Sequence, residues 1–216
     1  MKQYLIILIV TLFSSLVNAA DLKKLIVGNF SSGQLTGWEK KVFNQETDYQ
    51  LIYLGNRKVL RAESQASASG LVKKVKIDLY QYPYINWSWR IQNRLGKLDE
   101  KHKSGDDYAA RIFIMVYDGW LGWNTKALNY VWANKSPIGD SWPNAFVGKH
   151  AMMLALRSTN DKTSTWYYEK RNIYEDFKKL YGKNIRYINA VAVMTDSDNC
   201  QGHVTSFYGD IYFSKK

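Results

Sequence analysis

Apolar and polar residues alternate along much of this chain. From Tyr84 to Ile91, one face of an extended segment carries Ile85, Trp87, Trp89 and Ile91. The other carries Tyr84, Asn86, Ser88 and Arg90. Period-two alternation of this kind predicts a half-buried strand. From Tyr108 to Tyr117, the alternation puts Tyr108, Ala110, Ile112, Ile114 and Val116 on one face. Asp107, Ala109, Arg111, Phe113 and Met115 fall on the other. Further strands are predicted at 48–54, 58–64, 70–78, 127–133, 150–157, 164–171, 186–195 and 204–213. Short strands separated by turn residues predict an all-β-dominated chain folded as a β-sandwich or barrel.

One segment breaks the pattern. Ile173, Phe177, Leu180 and Tyr181 recur at helical spacing. Asn172 suits the N-cap, Glu175 stands three residues on, and Gly182 suits the position just past the C-terminus. A single short helix is therefore expected near 173–181, crossing one edge of the sandwich.

The strand-like segments also carry charge. Asp107 and Arg111, then Glu169 and Arg171, sit where apolar residues would be expected. Asp196, Asp198 and Asn199 follow, with Asp210 after them. Charges in such positions are solvated, paired or used. Two readings follow. In one, Asp107, Arg111, Glu169 and Arg171 form a cross-strand ladder of structural ion pairs. In the other they line a cleft, where carboxylates and guanidiniums hydrogen-bond hydroxyls and Arg grips carboxylates. Asp196, Asp198, Asn199 and Asp210 make a second polar cluster. The run Asp196-Ser197-Asp198-Asn199 has calcium-like donors but no EF-hand pattern, since Cys200 and Phe207 stand where oxygen ligands are needed. An Asx-turn is the simpler reading, with structural calcium in the loop as the alternative, and no other cofactor is expected.

Composition narrows the setting. Apolar residues make up 46% of the chain, enough for a core. The formal net charge of +11 favours anionic partners such as acidic envelope components. Its basic residues are scattered rather than striped, which argues against nucleic acid. Residues 1–19 read as a cleavable signal peptide, with Lys2, an apolar run from Leu5 to Phe13, and small residues ending at Ala19. The run is shorter than the ~20 residues that span a bilayer. A periplasmic or secreted single domain at 20–216, without stable membrane insertion, is the expectation. Cys200 is the only cysteine, so no internal disulfide can form, and a buried inert thiol is expected. His102, His150 and His203 have no zinc-site spacing. There is no Gly-x-Ser-x-Gly motif, so a serine hydrolase of that type is unsupported.

The order Phe30, Gly37-Trp38, Leu60-Arg61-Ala62 and the small-residue run Ala66–Gly70 resembles the opening of galactose-binding-like jelly rolls. Farther along come Trp87-Ser88-Trp89-Arg90, Gly105–Arg111, Ala127–Trp132, Glu169–Asn172, Met194–Asn199 and Tyr208–Ile211. Through these, the chain from Phe30 to Phe213 resembles the DUF3047 family of exported bacterial proteins. That resemblance implies a jelly-roll sandwich and carries no activity.

Aromatic residues make up 15% of the chain. Sugar rings stack on aromatic planes, so a non-catalytic site for carbohydrate or another polar envelope ligand is the leading expectation. Asp107, Arg111, Glu169 and Arg171 would be its polar contacts, and Trp132 a stacking surface. The Gly-, Trp- and Asn-rich stretch 118–144, with Trp120, Trp123 and Trp142, is the expected binding loop region, and Trp166 is a further candidate platform. Trp87 and Trp89 read as core. Two alternatives remain open. One is a carbohydrate-active enzyme, glycosidase or lyase, using Asp107 and Glu169. The other is a structural envelope protein whose charges only stabilise the fold.

Overall fold

The computed structural model describes residues 24–117 and 125–215. The leader expected at 1–19 and the tryptophans Trp120 and Trp123 lie outside the described residues. Among the described residues, no helix is long and apolar enough to cross a membrane.

The described residues form fourteen strands and one α-helix. In order they are β1 (Lys24–Gly28), β2 (Trp38–Asn44), β3 (Asp48–Leu54), β4 (Arg57–Gln65), β5 (Ala68–Asp78), β6 (Tyr84–Ile91) and β7 (Arg111–Val116). Then follow β8 (Lys126–Trp132), β9 (Ser141–Asn144), β10 (Gly148–Arg157), β11 (Tyr167–Asn172), α1 (Ile173–Tyr181), β12 (Tyr187–Asp196), β13 (His203–Tyr208) and β14 (Ile211–Ser214). The first sheet runs β1-β14-β6-β13-β4-β3, with β11 on the other side of β6. The second runs β2-β5-β12-β7-β8-β10-β9. All pairings are antiparallel except β8 with β10. The fold is a β-sandwich, as the alternation predicts, and of the jelly-roll type that the resemblance implies.

The core lies between the sheets. Ile85, Trp87, Trp89 and Ile91 of β6 meet Leu128, Tyr130 and Trp132 of β8. Trp87 and Tyr130 stack at 5.3 Å, and Trp89 lies edge-on to Trp87 at 5.4 Å. Both tryptophans of β6 are core residues, as their common face predicts.

The differences from expectation are local. The strand expected from Tyr108 begins only at Arg111. Its inner face is right for Ile112, Ile114 and Val116, but Tyr108 packs in the other direction, with Val131, Trp142 and Met153 on the outer side of the second sheet. The backbone from Asp107 to Ala110 is not extended strand, so alternation cannot be carried back through it. The strand expected over 204–213 is two strands, both paired to β6, broken at Gly209-Asp210. A Cβ at Gly209 would stand 2.3 Å from Arg57 Nη2 and from Ser88 Oγ, so a larger residue at that break would displace them.

The helix crosses from β11 in the first sheet to β12 in the second. Ile173 and Phe177 are fully buried in the core. The Asn172 side chain accepts from Glu175 N at 3.2 Å, and Gly182 takes a left-handed conformation at φ 65°. Asn172→Ala is expected to cost about 1 kcal/mol. That corresponds to a Tm loss of roughly 2–4 °C, readable by thermal unfolding. No change would mean the cap contributes nothing.

Candidate functional site

The polar residues singled out in the sequence separate into several places. Glu169 faces inward from β11. It accepts from Trp89 Nε1 at 3.1 Å and from Arg157 Nε at 2.6 Å, bridging the sheets. Arg171 forms a two-point pair with Asp176 of α1, at 3.0 and 2.5 Å, and Tyr130 OH joins the same carboxylate at 2.7 Å. Asp210 holds Ser31 N at 2.8 Å and Ser31 Oγ at 2.5 Å. Trp132 is 2% exposed, packs against Trp89 and Tyr167, and donates to Ser158 O at 3.1 Å. It is core, not a stacking surface, because β8 turns Leu128, Tyr130 and Trp132 to the same inner face.

The expected ladder is therefore corrected. Arg111, Glu169 and Arg171 are paired with Asp196, Arg157 and Asp176 rather than with one another, and Asp107 accepts from N–H groups. Asp107 and Glu169 share no partner. Asp107 ties the loop after β12, whereas Glu169 joins β11 to β6 and β10.

Arg111, Asp196, Asp198 and Asn199 do come together, on the outer face of the second sheet. Arg111 leads β7 and Asp196 ends β12, its antiparallel neighbour. Alternation turns both outward, yet they are 5% and 2% exposed. Their side chains pair directly, and Asp196 also accepts from Tyr108 N at 3.1 Å. Burial pushes the Asp196 carboxyl up, opposed by the Arg111 guanidinium. For Arg111, burial works against the charge, but Asp196 and Asp106 outweigh it and hold the guanidinium above its usual range. Burial also raises Asp106, which accepts from Tyr108 OH and Asn144 Nδ2.

The loop after β12 is fixed by hydroxyls and by one carboxylate. Ser197 Oγ meets Ser64 Oγ at 2.7 Å and donates to Gly202 O at 2.9 Å. Asp107 accepts from Asn199 N, Asn199 Nδ2 and Cys200 N at 3.2, 3.1 and 2.6 Å. Asp107 thus positions the loop as an Asx-type cap. Carboxylate oxygens of Asp107, Asp196 and Asp198 lie within 4.8 Å of one another. The set does not fit calcium. Asp107 is taken up by N–H groups, Asp196 by Arg111 and Tyr108, and Asp198 by Asn44 and Asn199. A guanidinium already supplies the positive charge, and a calcium ion needs six to eight oxygens.

These residues border a cavity of about 390 Å³. Its apolar wall includes Phe43, Phe113, Phe146, Val147 and Met194. Phe43 is 68% exposed and Phe146 53%, so both rings stand open at the rim. Its polar wall adds Asn129 and Asp106. Asn129 is 1% exposed, and both its amide nitrogen and oxygen are without a hydrogen-bond partner. So is Arg111 Nε. Asn129, Phe43 and Phe146 were not singled out by sequence reasoning. The one available signal was an Asn interrupting the apolar run Ala127–Trp132, on the face opposite Leu128 and Tyr130. Of the expected loop region, Asn129 and Asn144 line the cavity, whereas Trp142 is buried under the sheet's outer cluster.

The family model for "Protein of unknown function (DUF3047)" matches residues 36–212. The chain belongs to the DUF3047 family. A comparison of the sequence with curated proteins returns no match. Among solved structures, this DUF3047 chain is similar to a family 30 carbohydrate-binding module of a cellulosomal cellulase of Clostridium thermocellum. The two are 11% identical over 83% of this chain and 92% of that one, with a TM-score of 0.47. It is also similar to the Emp47p carbohydrate recognition domain, 13% identical over 90% and 96% of the chains, with a TM-score of 0.47. A third is the Trichoderma harzianum endoglucanase 3 of family GH12, 8% identical over 83% and 97%, with a TM-score of 0.39. These likenesses are too distant to assign a role, which leaves the cavity's own geometry to carry it.

Two predictions follow from this geometry. Arg111→Met strands the Asp196 carboxylate and is expected to cost about 3–5 kcal/mol in urea unfolding. Without the guanidinium that opposes it, burial favours the protonated Asp196 carboxyl. The loss should therefore be smaller at pH 5 and grow as pH rises through that carboxyl's pKa. Adding Asp196→Asn should recover part of it, and an identical cost in both backgrounds would mean the pair is uncoupled. Cys200 is half-buried, and burial, then Asp107, pushes its thiol up to about 12. Folded protein should resist iodoacetamide at pH 8 while urea-unfolded protein reacts. Equal rates would contradict this.

Proposed function

We propose that this DUF3047 protein is a binding protein for a neutral, polyhydroxylated ligand of the carbohydrate class, held in the cavity on the outer face of the second sheet. The observation that carries this reading is Asn129. A buried amide with neither group satisfied costs about 1–3 kcal/mol. Its donor and acceptor together match a hydroxyl pair, or a ring oxygen and hydroxyl. The open rings of Phe43 and Phe146 suit the C–H faces of a sugar.

Charge argues for a neutral ligand rather than an anionic one. Among the described residues lining the cavity, the cation is Arg111, already paired with Asp196, and Asp106 and Asp198 add further carboxyls. An acidic sugar would meet those carboxyls in the cavity wall. Binding without turnover is the reading the site favours, because the carboxyls beside the cavity are held by protein donors. With a leader at residues 1–19, the protein would do this outside the cytoplasm.

Asn129→Leu tests the reading. It removes both amide groups at similar volume. Binding of neutral oligosaccharides, measured by calorimetry, should be lost. The Tm should rise by roughly 2–4 °C for each kcal/mol recovered, because an unsatisfied polar group has been replaced. Undiminished binding of neutral oligosaccharides in this variant would sink the proposal.

A further inference from the structure

The outer face of the first sheet holds a guanidinium in a different setting. Arg57 begins β4 and lies across the outer side of the first sheet. Its Nη2 donates to Ser88 Oγ at 2.9 Å and its Nη1 to Tyr168 OH at 3.4 Å. The guanidinium carbon stands 4.8 Å from the centre of the Trp166 ring and 5.9 Å from that of Tyr168. The missing Cβ of Gly209 leaves it room. Arg57 is thus clamped and stacked, yet among the described residues no carboxylate pairs with it.

The two acids nearest in the fold are both engaged elsewhere. Asp210 borders the same pocket, but its oxygens hold Ser31 N and Ser31 Oγ. Glu169 turns inward to Trp89 and Arg157. The pocket has a volume of about 360 Å³, with Asn86, Ser88, Lys170 and Tyr212 among its walls. Lys170 lies over the Tyr84 ring at 4.8 Å and Lys24 over the Tyr212 ring at 4.5 Å. Neither lysine has a carboxylate partner among the described residues. Tyr168 is 70% exposed.

A guanidinium held in place by neutral groups offers its remaining N–H fork to an oxyanion at little ordering cost. The charge-assisted bonds it can make are the strong kind. Asn86 and Ser88 give the notch a polar floor, which suits a hydroxylated ring better than an acyl chain. The adjacent tyrosine supplies a stacking plane.

We infer that this face is a second binding site, independent of the cavity, which takes the carboxylate or phosphate group of an anionic glycan. Arg57 grips the oxyanion, Tyr168 takes the sugar ring, and Lys170 and Lys24 extend the positive track. The net charge of +11 then has a surface on which it acts.

The test uses the full chain against polygalacturonate, a carboxylate polymer, and a phosphate-bearing glycan, with vesicles of anionic phospholipid as a separate arm. Arg57→Gln should weaken binding of the anionic glycan roughly tenfold or more. Its salt dependence should also become shallower, while binding of neutral oligosaccharide stays unchanged. Lys179→Gln, an equal charge change on exposed α1, should have little effect. Arg57→Lys keeps the charge and the clamp's volume but loses the fork, and should not restore full affinity. Equal losses in the Arg57 and Lys179 variants would reduce the effect to net charge and overturn the site. So would full affinity in Arg57→Lys. Binding to vesicles without binding to either glycan would overturn the glycan assignment, and binding to neither would overturn both.

Discussion

A guanidinium and a carboxylate are buried together on a face of this sandwich that would ordinarily be solvated. Arg111 and Asp196 stand on adjacent strands, β7 and β12, at nearly full burial. Removing two charges from water costs several kcal/mol each, which their attraction offsets only with good geometry and further hydrogen bonds. Much of the surrounding structure supplies those bonds. Tyr108 N donates to Asp196, Asp106 lies close enough to raise Arg111, and Asp107 ties the following loop through Asn199 and Cys200. The non-strand segment 107–110 exists to make these contacts, so the alternation that governs β7 stops at Arg111.

The same pair shapes the cavity. It supplies one wall, and it ties up the cation that lines the cavity among the described residues. The groups left without a partner are the Asn129 amide and the Arg111 Nε–H, beside the aromatic rim. The two candidate sites thus differ in their electrostatics. At the cavity, Arg111 is paired with Asp196. On the first sheet, Arg57, Lys170 and Lys24 rest on aromatic rings and, among the described residues, meet no carboxylate. A cation on a ring keeps much of its charge available to solvent, whereas one on a carboxylate does not.

Buried hydroxyls connect the two sheets near the cavity. Tyr208 on β13 reaches across to donate to Met194 O at 2.7 Å, and its oxygen accepts from Arg111 N at 3.3 Å. Thr195 and Ser206 both donate to Ala109 O. Ser64 and Ser197 continue the chain of contacts. Every such group must be satisfied when buried, which leaves little freedom for the backbone beneath the site. That rigidity makes the unsatisfied Asn129 stand out as a place where a partner is missing.

The sequence by itself determined the sandwich, the inward faces of β6 and β7, the capped helix at 173–181 and the family. Each of these is a local signal: periodicity, a cap or an ordered set of motifs. It also marked Arg111, Asp196, Asp198 and Asn199 as charged or polar where apolar residues were due. Only the tertiary structure decided which charges meet. Glu169 and Arg157 join from different sheets, Arg171 pairs with Asp176 around a helix start, and Trp132 is turned into the core by its strand. Period-two patterning states that a residue faces outward or inward, but not which strand lies beside it. Strand order is a long-range property, set by how fourteen short segments share two sheets. Asn129 and Arg57 became candidates for the same reason, since a missing partner can be recognised only when every neighbour is in place.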